Sequence, residues 1–156
     1  MTGLPTYDVR VDALDDLDPR TAYRLWALRE SVFVVEQHCP YQELDGRDLE
    51  PATRHVWADS EAGPVGYLRI LDDGDAARIG RVLVARSHRG HGLSGVLMGA
   101  ALAEIGDRAS VLDAQSPLAG WYEGFGYRRD GEEFVEDGIP HVPMRRPGSA
   151  ASPTAR

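Results

Sequence analysis

The chain has 156 residues, a net charge of -8 and 42% hydrophobic residues, which is the size and composition of one globular domain. The negative charge argues against nonspecific nucleic-acid binding, and the sequence shows neither a signal peptide nor an apolar run of the roughly 20 residues that a membrane span needs. Cys39 is the only cysteine, so no internal disulfide can form, which fits a cytoplasmic protein.

The first half of the chain predicts antiparallel strands beside one helix. Residues 7–11 alternate apolar and polar side chains, as a strand does. Asp18 followed by Pro19 is an N-cap with proline at the first helical position, and the apolar spacing that follows predicts a helix over 19–35. Residues 38–54 show no period, and loops of this length are often functional. A meander of further strands is predicted at 55–59, 65–71 and 77–85.

The second half predicts a strand–helix–strand crossover that leads into a hairpin. Apolar side chains from Leu93 to Ala101 share one face of a helix that ends near Gly106, and a short buried strand follows at 111–114. Ser116-Pro117 predicts the start of a short helix that ends near Gly126. Short strands complete a mixed α/β (α+β) sheet at 127–129, 133–136 and 142–145. We therefore expect a single domain over 1–146, and the small and proline residues of 147–156 predict a disordered tail.

The segment from Ala76 to Ala103 carries four arginines and no Asp or Glu. At its centre the apolar run Val82 to Val84 leads into a basic, glycine-rich turn and then into a helix. A helix N-terminus exposes free backbone N–H groups and the positive end of the helix dipole, and positive side chains around it reinforce that field. The pattern predicts a bound anion, most simply a phosphate.

The glycines of this turn permit more than one interpretation. Gly90, Gly92 and Gly95 match the G-x-G-x-x-G pattern of dinucleotide sites, and Asp113 stands near the distance expected for a ribose-binding acid. That pattern normally follows the first strand of a parallel βαβ unit, whereas this turn follows an antiparallel meander. A nicotinamide or flavin site is therefore the weaker alternative. A turn that merely connects strand to helix would need neither three glycines nor the basic side chains.

The segment Arg89-Gly90-His91-Gly92-Leu93-Ser94 resembles the R-x-x-G-x-G/A segment of the GNAT acetyltransferases, with Ser94 in place of the usual last Gly or Ala. In that superfamily the segment wraps the pyrophosphate of acetyl-CoA, and the preceding strand pairs with the pantetheine arm. The resemblance implies that Val82, Leu83 and Val84 lie along the pantetheine. It also implies pyrophosphate contacts from Arg89, Gly90, His91, Gly92, Leu93 and Ser94.

A second segment, residues 115–127, resembles the later N-x-x-A-x-x-F-Y-E-x-x-G-F segment of the same superfamily. Gln115, implied to contact the cofactor, stands where Asn is usual. Tyr122 aligns with the tyrosine that commonly protonates the departing CoA thiolate, although an aromatic packed in a short helix would have the same spacing. The chain further resembles the ElaA-type branch of the superfamily, at residues 28–41, Glu43, Asp45, His55 and 136–144. Together the similarities cover most of 20–145 and imply the GNAT fold.

The resemblance implies an N-acetyltransferase that moves an acetyl group directly from acetyl-CoA to a primary amine, so that orientation of the two substrates is a major source of rate. Val84 is the candidate backbone N–H donor to the thioester carbonyl, and Tyr122 is the candidate proton donor to sulfur. Glu36, Asp113 and His141 are candidate general bases, unless water carries the proton away. Asp113 and His141 are also the predicted substrate-binding residues.

The acceptor and the partners are less constrained. Acidic residues crowd the long loop, where they form either a negative rim that attracts a cationic amine or simply a solvated surface: Glu36, Glu43, Asp45, Asp48 and Glu50. The scattered histidines predict no metal site. An acyl-CoA sensor without turnover and an acyl-chain transferase of the autoinducer-synthase type are the alternative functions. Paired subunits are frequent in the superfamily, which makes a homodimer one expected assembly, with no nucleic-acid or membrane partner.

Overall fold

The computed structural model describes residues 7–38 and 40–149. In this part of the chain eight strands form one sheet in the order β1-β2-β3-β4-β5-β8-β6, and β7 pairs with β8. The strands are β1 (Asp8–Asp12), β2 (Arg54–Ser60), β3 (Gly63–Asp72), β4 (Ala77–Val84), β5 (Ser110–Gln115), β6 (Arg128–Arg129), β7 (Phe134–Glu136) and β8 (Ile139–Arg146). The helices are α1 (Pro19–Glu30), α2 (Leu93–Ile105) and α3 (Ala119–Glu123). The mixed α/β fold expected from the sequence is confirmed.

The helix predicted over 19–35 begins as expected, because the Asp18 carboxylate accepts a hydrogen bond from the Thr21 backbone N–H at 2.9 Å. The α-helix ends at Glu30, however, and the chain continues as a π-helical segment, Ser31–Glu36. Gln37 N donates to Val32 O at 3.2 Å, which is the wider π-type spacing. This segment is rich in valine, and β-branched side chains fit the interior of an α-helix less well. Such π-helical turns often occur at functional sites.

Strands β1 to β4 form the predicted antiparallel meander. Helix α2 then crosses over and returns the chain as β5, which is parallel to β4. The two parallel strands pair only at Ala77 with Ser110 and at Arg78 with Val111, and then they separate. On its other side β5 pairs with β8 along its whole length. The sheet therefore opens between the C-terminal ends of β4 and β5, and it lacks the repeated parallel units of a dinucleotide-binding fold.

Two apolar cores cover the two faces of the sheet. The larger core contains the inward side of α2, including Leu93 and Leu97, together with Tyr122 of α3. A Cβ added at Gly66 of β3 would lie 3.0 Å from both leucines, so glycine there lets α2 pack closely on the sheet. The smaller core joins α1 and the π-helical segment to the opposite face through Leu25, Val32, Trp57, Tyr67 and Leu83.

The C-terminal third differs in detail from the sequence prediction. Strand β8 begins at Ile139 rather than at residue 142, because Asp137 and Gly138, with φ of 51° and 77°, make a tight turn after β7. Ser116 starts a short 3₁₀ turn before α3, and its hydroxyl donates to Glu133 at 2.7 Å instead of capping the helix. In the predicted tail, the Ser149 hydroxyl bonds Asp107 at 2.6 Å. Residues 150–156, like 1–6, lie outside the described residues.

Candidate active site

A groove of about 930 Å³ lies where β4 and β5 separate. Among its lining residues are nearly all those predicted from the sequence to bind or react: Glu36, Val82, Leu83, Val84, Arg89, Gly90, Gly92, Leu93, Ser94, Asp113, Gln115, Tyr122 and His141. His91 is the exception, since it is exposed and does not line the groove. Residues that are far apart in sequence are thus brought to one cleft.

Strand β4 is distorted where it enters the groove. The pairing with β3 shifts between Tyr67, opposite Leu83, and Arg69, opposite Gly80, which leaves an additional residue on β4. Arg81 lies in this β-bulge with a φ of 55°, an uncommon conformation for a residue with a side chain. A bulge bends a strand and redirects the residues that follow it. The bulge therefore turns the end of β4, with Val84, toward the groove.

The backbone of Val84 faces the gap that β5 leaves. Ala85 N donates to Val65 O at 2.7 Å, and Val84 lies opposite Gly66. In an antiparallel pair the hydrogen bonds alternate, so the N–H and C=O of Val84 point away from β3. The carbonyl accepts a hydrogen bond from Arg89 Nε at 2.8 Å. Since β5 has already separated from β4, the Val84 N–H is directed toward the groove.

The turn before α2 presents a row of backbone donors. Gly90 and Gly92 have φ of 84° and 78°, in the left-handed region that favours glycine. The N-cap Gly92 accepts a hydrogen bond from Val96 N at 3.3 Å. Within the described chain, the backbone N–H groups of residues 90–95 donate to no protein acceptor. Free amides at the positive end of a helix dipole form a site for an anion such as a phosphate.

The arginines of the basic segment contribute less positive field than their sequence suggests. Each of them is paired with a carboxylate from another part of the chain: Arg78 with Asp73 and Asp113, Arg81 with Glu43 and Asp45, and both Arg86 and Arg89 with Glu36. The expected reinforcement of the helix field is thus reduced but not abolished, because Arg86 and Arg89 share the single carboxylate of Glu36. The backbone amides supply further donors for an anion.

Glu36, at the end of the π-helical segment, is held by Arg89. The two guanidinium nitrogens Nη1 and Nη2 donate to its carboxylate at 2.7 and 3.0 Å. The hydrogen bonds from Arg89 hold the pKa of the Glu36 carboxyl below its usual range. A carboxylate stabilised in this way accepts a proton less readily.

Tyr122 lies on α3 with a buried side chain, and its hydroxyl donates to or accepts from no other described residue. Its ring contacts Trp121 and Tyr127, with centroids 4.9 and 6.3 Å away. Burial, with a smaller contribution from Tyr127, raises the pKa of the Tyr122 phenol to about 12. The group therefore stays protonated at neutral pH and can donate a proton or a hydrogen bond into the groove.

The remaining candidates lie on the two strands beyond the opening. Asp113 of β5 is exposed and forms an ion pair with Arg78 at 3.3 Å. Gln115 ends β5 directly opposite His141 of β8. The His141 ring stacks on Phe134, and its Nδ1 lies 2.8 Å from the Ile139 carbonyl oxygen.

A buried charge network that the sequence did not reveal holds the long loop against α1 and β3. Arg29 is fully buried in α1 and donates to Glu43 at 2.5 Å and to Asp48 at 2.8 Å. Arg69 of β3 bonds Asp45 at 2.6 Å and Asp48 at 3.2 Å. Glu43 and Asp48 are therefore buried and paired, which corrects both expectations for these two acids, whereas Asp45 is paired but remains exposed. The available signal was an arginine on the apolar face of the predicted first helix.

The comparisons with known proteins agree with this geometry. The family model described as an acetyltransferase (GNAT) domain matches residues 15–147. The chain belongs to the GNAT acetyltransferase family. This GNAT domain is 52% identical over 139 residues to a UPF0039 protein of Mycobacterium tuberculosis, a match that covers 86% of the chain and 89% of that protein. It is 41% identical over 140 residues to the protein ElaA of Escherichia coli, with 84% and 90% covered. It therefore falls in the ElaA-type branch.

Solved structures show the same fold. The crystal structure of an acyl-CoA N-acyltransferase from Pseudomonas aeruginosa superimposes with a TM-score of 0.88 at 39% identity, covering 90% of this chain and 99% of that one. Escherichia coli ElaA follows with 0.86 at 36% identity and the same coverage. The acyl-homoserine lactone synthase BjaI has a TM-score of 0.75 at 15% identity, with 90% and 82% covered, a likeness of fold alone.

None of the helices among the described residues is long and apolar enough to cross a membrane. The same part of the chain also contains no group of three or more His, Cys, Asp or Glu side chains placed to hold a metal ion.

Proposed function

We propose that this protein is an N-acetyltransferase that moves an acetyl group directly from acetyl-CoA to a primary amine. One observation carries the proposal: the unpartnered amides of Gly90 and of residues 92–95 open into the same groove as the Val84 N–H and the Tyr122 hydroxyl. A diphosphate fits the amides. The opening between β4 and β5 then gives an extended thioester arm a route along Val82, Leu83 and Val84.

The chain's own groups supply what acetyl transfer from a thioester requires. The Val84 N–H polarises the thioester carbonyl and stabilises the negative charge that develops on its oxygen. Tyr122 donates a proton to the departing sulfur. Gln115 and His141 line the side of the groove where we place the amine. The rigid sheet holds these groups together, so that much of the rate comes from orientation of the two substrates.

The first experiment is a thermal-shift measurement on the purified protein with CoA, acetyl-CoA, NADH and FAD. We expect CoA and acetyl-CoA to raise the melting temperature, because they bind the folded state, and NADH and FAD to leave it unchanged. Stabilisation by NADH without stabilisation by CoA would overturn the proposal in favour of a dinucleotide site.

The second experiment follows free-thiol release from acetyl-CoA against a panel of small amines, peptides and aminoglycosides. Thiol release that depends on an amine supports the transferase, whereas CoA binding without any release supports a sensor. The likeness of fold to BjaI makes acyl-chain length worth testing in the same assay. Faster turnover of long acyl-CoAs than of acetyl-CoA would replace the acetyl assignment by an acyl-chain transferase.

A further inference from the structure

His141, the third residue of β8, lines the groove. Its neighbours Val142 and Met144 of β8 are buried in the core beneath α2. Because side chains alternate along a strand, the His141 side chain points to the opposite face of the sheet. Asp113 and Gln115 of β5 share that face, and Gln115 lies directly opposite His141. The histidine therefore lines the groove from the side we assign to the amine.

Local contacts determine which ring nitrogen of His141 is free. Nδ1 lies 2.8 Å from the carbonyl oxygen of Ile139. A carbonyl can only accept a hydrogen bond, so Nδ1 carries the proton and the neutral ring keeps its lone pair on Nε2. Nε2 bonds no other described residue. Stacking on Phe134, with centroids 5.7 Å apart and planes at 21°, holds the ring in this orientation.

The other two candidate bases are engaged with arginines. Glu36 accepts two hydrogen bonds from Arg89, and Asp113 is paired with Arg78. A cation beside a carboxylate stabilises its charged form and makes it a weaker proton acceptor. Of the three candidates, His141 alone combines a free basic atom with a place in the groove.

Several charged groups lie around His141. On β5 the nearest acid by register is Asp113, which is paired with Arg78. Glu133 precedes β7 and accepts a hydrogen bond from the Ser116 hydroxyl. Glu136 is the last residue of β7 and lies opposite Ile139 in the strand register. Asp137 lies in the turn that follows. The pH profiles of the variants described below decide the assignment.

We infer that His141 is the general base of the acetyl transfer and that Nε2 accepts the proton that the amine loses. The inference rests on the proposed function. As the nitrogen–carbon bond forms and the carbon–sulfur bond breaks, His141 takes one proton from nitrogen and Tyr122 gives one to sulfur. Exchange with water then returns His141 to its neutral form and Tyr122 to the phenol. An amine that arrives as an ammonium ion releases one further proton to water.

The test compares His141→Asn with Glu36→Gln and Asp113→Asn. In His141→Asn the amide N–H can replace Nδ1–H at the Ile139 carbonyl, but the basic Nε2 is lost. We expect kcat/KM for the amine to fall by about 100-fold or more, as for the loss of a general base. The thermal shift with CoA should stay within the wild-type range, which shows that the variant is folded and binds CoA. Each of the two carboxylate variants should lose less than about tenfold in kcat/KM, because neither carboxylate accepts the proton.

The pH profile identifies the base. The profile of kcat/KM against pH is measured with two amine acceptors of different basicity. An acidic limb caused by an enzyme group stays at the same pH for both acceptors, whereas a limb caused by the amine moves with its basicity. We expect this fixed limb in the wild type and in both carboxylate variants, and its loss in His141→Asn. Retention of the limb in His141→Asn, or its loss in Glu36→Gln or Asp113→Asn, would overturn the inference while leaving the acetyltransferase intact.

A second measurement does not depend on turnover. Nitrogen NMR of the histidine rings above pH 8, assigned by the signal missing from His141→Asn, reports the tautomer directly. We expect the neutral ring of His141 to carry its proton on Nδ1 and none on Nε2. A protonated Nε2 in the neutral ring contradicts the inference. A wild-type protein that releases no thiol with any amine contradicts the proposed function, and the base assignment fails with it.

Discussion

The carboxylate of Glu36 accepts hydrogen bonds from both terminal nitrogens of Arg89, at 2.7 and 3.0 Å. Nε of the same guanidinium donates a hydrogen bond to the Val84 carbonyl oxygen at 2.8 Å. Arg89 thereby links the end of the π-helical segment to the end of β4. Three of its five N–H donors are thus engaged by protein acceptors, although the GNAT resemblance suggested that it holds pyrophosphate. We propose that Glu36 and Arg89 position the Val84 N–H instead of taking part in proton transfer.

Glu36→Gln tests this positioning role. The amide keeps one hydrogen bond to Arg89 and loses the charge, so we expect kcat to fall by less than about tenfold, well below the roughly 100-fold or larger loss that follows removal of a general base. Glu36→Ala, which frees Arg89 altogether, should reduce kcat more than it changes KM for acetyl-CoA. The measurement is steady-state thiol release, and a loss of two or more orders of magnitude in Glu36→Gln would contradict the role.

Tyr122→Phe should lower kcat by about 100-fold and leave CoA affinity within a factor of about two. The hydroxyl bonds no other described residue, so its removal deprives the fold of no hydrogen bond. Because the pKa of Tyr122 is raised to about 12, the wild-type rate should show no alkaline limb from this residue below about pH 11. Calorimetric CoA titration separates binding from rate. Unchanged turnover in the variant would contradict the proton-donor role and show that the Tyr122 ring serves only in packing.

Gly92→Ala and Gly99→Ala form a matched pair of variants, one at the N-cap of α2 and one inside the helix. An added Cβ would meet no atom within 4 Å at either position, but Gly92 has a φ of 78° and Gly99 lies inside α2. Alanine at 92 should cost about 1 kcal/mol of stability and weaken CoA binding, whereas alanine at 99 should be neutral or stabilise by up to about 1 kcal/mol. Denaturant unfolding and CoA titration measure both effects. Equal CoA affinity in the two variants would count against the amide site.

Stability should depend on pH through His55. This residue is fully buried, bonds the Tyr67 hydroxyl at 2.6 Å, and burial lowers the pKa of His55 to about 4. The unfolded chain, with a histidine pKa near 6.5, binds more protons between those two values. The free energy of unfolding should therefore fall as the pH drops from about 6.5 to 4, by roughly 2 to 3 kcal/mol.

The control for that prediction is His55→Gln. Its absolute stability also changes, because the bond to Tyr67 is altered, so only the slope of the unfolding free energy with pH is informative. Urea unfolding at several pH values should give a flatter slope between pH 6.5 and 4 in the variant. A slope identical to that of the wild type would assign the acid sensitivity to other groups.

The fold class and the family followed from local signals. Asp18-Pro19, the alternation of the early strands and the glycine-rich turn before Leu93 are short-range patterns whose backbone consequences depend on a few neighbouring residues. The residue-level roles remain predictions, because they concern groups from distant segments. The π-helical turn at Ser31–Glu36 and the bulge at Arg81 were not foreseen, since each depends on how that segment packs against the rest of the fold.

By itself, the sequence determined the GNAT identity, the order of helices and strands, and the glycine turn that leaves amides free at a helix start. Only the tertiary structure decided which charges are available for chemistry. Glu36, Asp113 and the buried loop acids Glu43 and Asp48 are paired with arginines that lie many residues away, whereas Nε2 of His141 is left unbonded within the described chain. Charge pairing acts over a few ångströms in space and has no fixed spacing along the chain, so composition cannot reveal it.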